Sequence, residues 1–293
     1  MRLVYFVVLM GLAFPPSLNA QEPLVSQVVL NEPALKESSG LAFSLREPGH
    51  VWTHNDSGDG PHLWCFDSKT GARTGSCELS NANAVDWETL TSCLSTDPSG
   101  TPKRTLIVGD CGDNQRRRSH VTLYRFDEPE TNVDAVIPPE QWQALKVQFP
   151  DGPHDCEAIW FDSDARALVL LAKSLSPLTG VYALKLSAFE QTKHDATVTC
   201  TQIATLAIPL ATGGDRDPQT GDIWIATYWK AFCFKRGASI SLQDQLAAVP
   251  AAFSMPQWKQ IESIGVDDQS RIWVTTEGSP AKLGMLNIPS LPK

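Results

Sequence analysis

The chain has 293 residues, with 24 Lys or Arg against 33 Asp or Glu and a formal net charge of −9. An acidic chain without a basic stripe excludes duplex nucleic acid as a partner, because binding it takes clustered Lys and Arg to displace counterions. Its seven cysteines show no C-x-x-C spacing, which argues against a structural zinc site and dithiol redox catalysis.

Met1 and Arg2 are followed by uncharged, mostly apolar residues over 3–14, then Pro15, Pro16 and Ser17-Leu18-Asn19-Ala20. Residues 1–20 read as a signal peptide cleaved after Ala20, which predicts a secreted or periplasmic protein. The apolar run is shorter than the roughly 20 residues of a membrane span, so no membrane association is expected after cleavage. Residues 21–293 are expected to form one monomeric domain. In an exported chain seven cysteines also imply disulfides, with at least one thiol left over.

From residue 25 onward, short runs rich in Val, Ile, Trp, Tyr and Phe alternate with Gly, Pro, Asp and Asn, which predicts an all-β protein. Short helices are expected only near residues 141–145 and 242–248. An acidic residue followed by a small or apolar stretch recurs five times: Glu37 in ESSGLAFS, Glu88 in DWETLTS, Glu157 in HDCEAIWFD, Asp215 in TGGDRDPQTG and Glu262 in IESIGVDD. A second strand follows each (VWTHND, LIVGDCGDN, LVLLAKS, IWIATYW, IWVTTEG), then a third (HLWCFD, VTLYRFD, GVYALKL, AFCFKRG, KLGMLNI). Fourth strands are RTGSCEL, LKVQFP, CTQIATLAI and AAFSMP, and the last unit lacks one. The repeat predicts a single β-propeller of five four-stranded blades. Residues 25–30 are the spare strand, expected to pair with 282–288 and close the ring so that no edge is left to aggregate. Two tandem β-sandwiches would need a linker near the middle, where there is no Pro/Ser/Gly-rich break.

The first strand of a propeller blade lines the axis, and residues two apart on a strand share a face. Asp86 with Glu88, and Asp155 with Glu157, are then set about one axis with Glu37 and Glu262. Carboxylates about 6 Å apart at an effective dielectric near 20 repel by roughly 3 kcal/mol. The ring therefore needs a cation, protonation or inward basic residues. Oxygen-only ligands favour calcium, with magnesium as the other choice. Glu37, Asp86, Glu88, Asp155, Glu157 and Glu262 are thus candidate metal ligands. The competing reading has Lys173, Arg216 and Arg116-Arg117-Arg118 neutralising the ring, or the acidic residues capping turns.

His54 in WTHNDSGDG and His154 in PDGPHDCEA lie among acidic residues. Each is a candidate general base beside Asp86 and Glu88, or a group orienting an anionic ligand; a histidine in a turn also serves simply as a hydrogen-bonding loop residue. Asn55, Asp56, Asp110, Asp113, Asn114, Arg117 and Lys173 are the candidate ligand-binding residues. GxSxG, Walker and strand-to-helix GxGxxG motifs are absent, and Asp110-Cys111-Gly112-Asp113-Asn114 lacks the spacing of an EF-hand.

Together ESSGLAFS, WTHNDSGDG, DWETLTS, VGDCGDNQRRRSHVTLYRFDEP, FPDGPHDCEAIWFD and TTEG, spread over residues 37–278, resemble a family of exported bacterial β-propellers of unknown function. The resemblance implies fold and export, and no activity. The family carries small or apolar residues where this chain has Cys111 and Cys156. As departures on neighbouring blades near the axis, these two are expected to be bonded to each other; Cys65 and Cys77 are a second candidate pair. More loosely, a five-unit propeller with an acidic axis is similar to calcium-dependent nucleotidases, phytase-like enzymes and some glycosidases. The leading expectation is a propeller holding a divalent cation and a small polar ligand at its axis. The alternatives are a metal-assisted hydrolase of phosphate esters or glycosides, and an interaction platform whose axis is structural.

Overall fold

The computed structural model describes residues 22–96, 99–238 and 240–289; the expected leader lies outside them. Strand β1 (Leu24–Val29) precedes blade 1, which holds β2 (Ser38–Phe43), β3 (His50–Asn55), β4 (His62–Asp67) and β5 (Arg73–Leu79). Blade 2 follows with β6 (Trp87–Thr96), β7 (Pro102–Asp110) and β8 (Val121–Asp127), then a short β9 (Asp134–Ile137), then β10 (Trp142–Gln148). Blade 3 contains β11 (Cys156–Asp162), β12 (Ala167–Ala172) and β13 (Thr179–Lys185), and after a short β14 (Ala196–Thr199) ends in β15 (Thr201–Leu206). Blade 4 comprises β16 (Ala211–Arg216), β17 (Ile223–Thr227), β18 (Lys230–Phe234) and β19 (Ala251–Ser254). Blade 5 has β20 (Ile261–Val266), β21 (Ile272–Thr276) and β22 (Lys282–Leu286).

The described residues thus form a five-bladed propeller, each blade an antiparallel meander. The first strands β2, β6, β11, β16 and β20 pack in sequence around the axis, and β20 returns to β2. Closure is as expected: β1 pairs antiparallel with β22, with Val29 opposite Lys282 and Gln27 opposite Gly284. Aspartates shape the hairpin turns, because a carboxylate can accept the N–H groups that a turn leaves free. Asp67 accepts from Lys69 and Thr70, Asp217 from Gln219 and Thr220, and Asp267 from Gln269 and Arg271.

Two blades depart from the four-stranded expectation. Strand β9, inserted in blade 2, adds in parallel to β5 of blade 1, and β14, inserted in blade 3, adds in parallel to β10 of blade 2. Each insertion straps a blade to its predecessor and covers an outer edge. The helix expected near 141–145 is instead a single 3-10 turn, Pro139–Gln141, leading into β10. Pairing of Trp142, Ala144 and Leu145 with β8 overrides local preference there. The other expected helix forms as α2 (Leu242–Ala247), capped reciprocally by Ser241 and Asp244; a short α1 (Ala188–Gln191) was not foreseen.

Five buried apolar clusters hold the ring, one at each junction of successive blades. The cysteines belong to these clusters. Cys65 and Cys77 lie between blades 1 and 2, Cys93, Cys111, Cys156 and Cys200 between blades 2 and 3, and Cys233 between blades 4 and 5. All seven are buried free thiols, so the expected Cys111–Cys156 and Cys65–Cys77 bonds are not formed. Cys65 lies opposite Gly75, and Cys77 opposite Leu63, so the second pair is out of register. Cys111 Sγ instead donates to the Cys156 carbonyl at 3.0 Å. These thiols act as small apolar side chains, and burial pushes those of Cys65, Cys93, Cys200 and Cys233 up to about 12.

Candidate functional site: an acidic axial ring

Each first strand opens with a bulge, one residue that has no partner on the second strand. The bulged residues are Gly40, Glu88, Glu157, Thr212 and Glu262. Bulges re-aim a side chain at the rim of a sheet, and here they define one equivalent position per blade around the axis. Three of the five are the expected glutamates, all buried. Glu37 and Asp215 are displaced from it. Glu37 precedes β2, is exposed, and bridges through its backbone to Glu277 at the mouth of the ring. Asp215 lies three residues past its bulge and accepts the Val266 and Arg216 N–H groups at 2.7 and 2.8 Å.

Sterics explain why blade 1 has no acid in the ring. Gly40 has φ +65°, and a Cβ there would lie 2.3 Å from His54 Nε2 and 2.9 Å from the Leu90 nitrogen. The imidazole of His54 fills the space behind this glycine, fully buried, edge-on to Trp87, with Nδ1 2.7 Å from the Asn55 carbonyl. Burial holds its pKa below the usual value, so it is neutral. It packs the ring from behind and has no open path to a ligand.

The three glutamates are neutralised in different ways. Lys173 Nζ donates to both Glu157 carboxylate oxygens at 2.7 Å. Burial alone would lower the Lys173 ammonium, but Glu157 outweighs it and holds it raised. Lys173 also lies over the Tyr228 ring, 5.3 Å from its centroid. Burial, with Glu157 and then Glu277 adding their charge, pushes Glu262 up to about 8. Glu88 has neither partner. Burial and then Glu157 raise it well above the usual carboxylate range, and its nearest donor is Ser39 Oγ, 3.3 Å from Oε2.

Around Glu88 the structure gathers Asp56 and Asp86, with one carboxylate oxygen from each of the three within 4.8 Å of the others. Burial and the charge of Asp56 push Asp86 up to about 6. Gly112 is the backbone wall of this group. A Cβ on it would come 2.4 Å from Asp86 Cγ and 2.9 Å from Glu88 Oε1, so only glycine lets the loop approach. Two oxygens each about 2.4 Å from a Ca²⁺ are at most about 4.8 Å apart, a pairwise limit that these three carboxylates meet.

The other expected site residues divide between the ring and the scaffold. Asp155 is buried, with a raised pKa caused by burial, and accepts the Asp113 N–H at 2.8 Å. Asp113 in turn accepts the N–H groups of Arg117 and Arg118. Asp110 pairs with Arg118 at 2.7 Å. Asn55 accepts from Lys36 and Glu37 and donates to Ala34 and Asp59, so its amide is committed to the loop. Asn114 and Arg117 are exposed. His154 Nε2 lies 2.9 Å from Asp151 and 2.8 Å from the Tyr182 hydroxyl, in a cluster belonging to blade 3. Arg216, one of the expected neutralising cations, pairs with Asp162 and Asp164 instead. Sequence reasoning missed Tyr228, Glu277 and Thr212. The first two follow the second strands of blades 4 and 5 as Lys173 follows that of blade 3, an equivalence readable by aligning IWIATYW and IWVTTEG with LVLLAKS.

Fold and site define a five-bladed propeller with an acidic axial ring. No family model and no curated protein matches the chain. Solved structures of similar fold include the PQQ-bound aldose sugar dehydrogenase of Streptomyces coelicolor, 13% identical, covering 91% of this chain and 99% of that one at a TM-score of 0.47. Another is streptogramin B lyase, 10% identical, covering 89% and 98% at 0.44. These are likenesses of fold only.

Proposed function

We propose that this is an exported propeller that binds a divalent cation, calcium before magnesium, at Asp56, Asp86 and Glu88, and presents it to a small polar ligand at the mouth of the ring. The observation that carries this reading is that an ammonium answers Glu157, whereas Glu88 has no cation beside it among the described residues and two further carboxylates within reach of one ion. A divalent ion supplies the missing charge, and carboxylate oxygens alone favour a hard cation.

Binding is favoured over hydrolysis because neither histidine stands at the ring opening. The export and the family resemblance drawn from the motifs are part of the same proposal. Calorimetric titration of chelator-treated protein with Ca²⁺ is the test. One site, lost in Asp56→Asn and retained in His54→Gln and His154→Gln, is the expected result; absence of Ca²⁺ and Mg²⁺ binding to the wild type would refute it.

A further inference from the structure

Beside the axial ring, the loop after β7 and the strand β10 enclose a second cavity of about 560 Å³. Its walls carry Arg117, Arg118 and Lys146, with Ser119 and His120, against only two carboxylates, Asp110 and Asp195. Lys146 lies 2.6 Å from Asp195, and Arg118 2.7 Å from Asp110. Arg117 has no carboxylate partner among the described residues; Asp113 engages only its backbone N–H. A chain with a net charge of −9 thus concentrates a surplus of positive charge in one cavity. His120 registers that field: burial, then Lys146 and Arg118, hold its imidazole below the usual range.

We propose that this cavity is a phosphate-binding subsite, taking inorganic phosphate or the terminal phosphate of a small phosphorylated molecule. The cationic groups come from two separate segments of the chain, the loop after β7 and strand β10, so the cavity is lined by cations from two sides. That arrangement suits a tetrahedral dianion with several acceptor oxygens, whereas a planar carboxylate is satisfied by a single guanidinium fork. The volume exceeds what phosphate alone occupies and falls in the range of small-molecule sites, about 300–1,000 Å³. Asp110 joins the two sites: it lines the cavity, and its Oδ1 accepts the Asp86 N–H at 3.1 Å. The subsite stands on its own residues; that one ligand spans both sites rests on the reading of the axis given above.

The test is calorimetric titration of chelator-treated, full-length mature protein with inorganic phosphate, glycerol phosphate and acetate. Phosphate should bind at one site, and Arg117→Ala and Lys146→Ala should each weaken it tenfold or more, with circular dichroism confirming that both variants remain folded. Glycerol phosphate binding more tightly than phosphate would identify the ligand as a phosphorylated molecule, and equal or weaker binding as the free anion. Absence of phosphate binding, acetate binding as tightly as phosphate, or variants that bind like the wild type would each overturn the subsite. Asp56→Asn should bind phosphate no more weakly than the wild type in metal-free buffer. A Ca²⁺ titration of the same samples reads the axial site separately, so either can fail alone.

Discussion

Replacing Glu88 by Gln keeps the side chain's shape and removes its charge from the group with Asp56 and Asp86. Oxygens within 4.8 Å of one another repel by about 3.5 kcal/mol or more per ionised pair at an effective dielectric of 20. Three ionised pairs would cost about 10 kcal/mol, comparable to the whole stability of a domain. Without a cation the group must therefore hold protons, in keeping with the raised values of Asp86 and Glu88. Because the folded-state pKa of Glu88 lies above its usual 4.5, its contribution to stability is fully present below that value. It is lost as pH rises through the folded-state pKa. In chelator, wild-type stability should fall between pH 5 and pH 8, and Glu88→Gln should flatten that fall and be at least as stable at pH 8. A cation at a thousandfold excess over its dissociation constant adds about 4 kcal/mol. For a chain of this size that is an increase of about 7 °C in melting temperature. Differential scanning calorimetry at pH 8, with millimolar Ca²⁺ or chelator, should show this increase in the wild type and little of it in Glu88→Gln. An equal calcium response in both proteins would place the ion elsewhere, and no response in either would remove the cation altogether.

Lys173→Met should destabilise by about 3–5 kcal/mol at pH 8, the cost of leaving a buried charge unpaired, and by less at pH 5.5, where the Glu157 carboxyl, already raised by burial and no longer held down by Lys173, takes up a proton in the variant; urea denaturation at the two pH values would check this. Gly112→Ala, which drives a Cβ into Asp86 and Glu88, should cost about 1–3 kcal/mol and abolish the calcium-induced rise in melting temperature. Deleting residues 22–31 removes β1 and uncovers the edge of β22, so the melting temperature should drop by more than 10 °C; an unchanged value would sink the closure argument. Thiol titration should find seven reactive cysteines in guanidinium and essentially none in native protein. A count of five in guanidinium would mean that one pair is oxidised.

Strand order and ring closure were legible because both rest on period-2 alternation and on a spare strand at one end of a chain that lacks one at the other. The ring itself was legible only where the acid falls on the bulge. In DWETLTS, HDCEAIWFD and IESIGVDD it does, whereas in ESSGLAFS the bulge falls three residues past the acid, on Gly40, and in TGGDRDPQTG it falls three residues before the acid, on Thr212, the first residue of the motif. A bulge is a relation between two strands, so no pattern along one strand reveals it. The sequence marks Asp56 as a candidate ligand-binding residue and not as a metal ligand, and its place among the ring carboxylates appears only once β3 is paired with β2. The cysteines misled for a different reason: their number suggested bonds, but each stands where an interface between blades takes a small apolar side chain.

The fate of each ring position follows from one residue at the end of the second strand of its own blade or just past it, the residue that follows the partner of the one before the bulge. In blade 3 that residue is Lys173, and Glu157 is held as an ion pair. In blade 5 it is Glu277, whose charge adds to burial in holding Glu262 raised. Blade 4 sets Tyr228 beside Thr212, and blade 1 sets Asn55 beside Gly40, so neither brings a charge to the ring that needs an answer. Blade 2 alone joins a ring carboxylate, Glu88, to a residue that offers neither charge nor proton, the thiol of Cys111, which is turned away toward Thr89 and the Cys156 carbonyl. Blade 2 also brings Asp86, and blade 1 turns Asp56 toward it. Glu88 is therefore the ring carboxylate to which the fold adds two more, an arrangement that raises the cost of an empty site and the gain from filling it together.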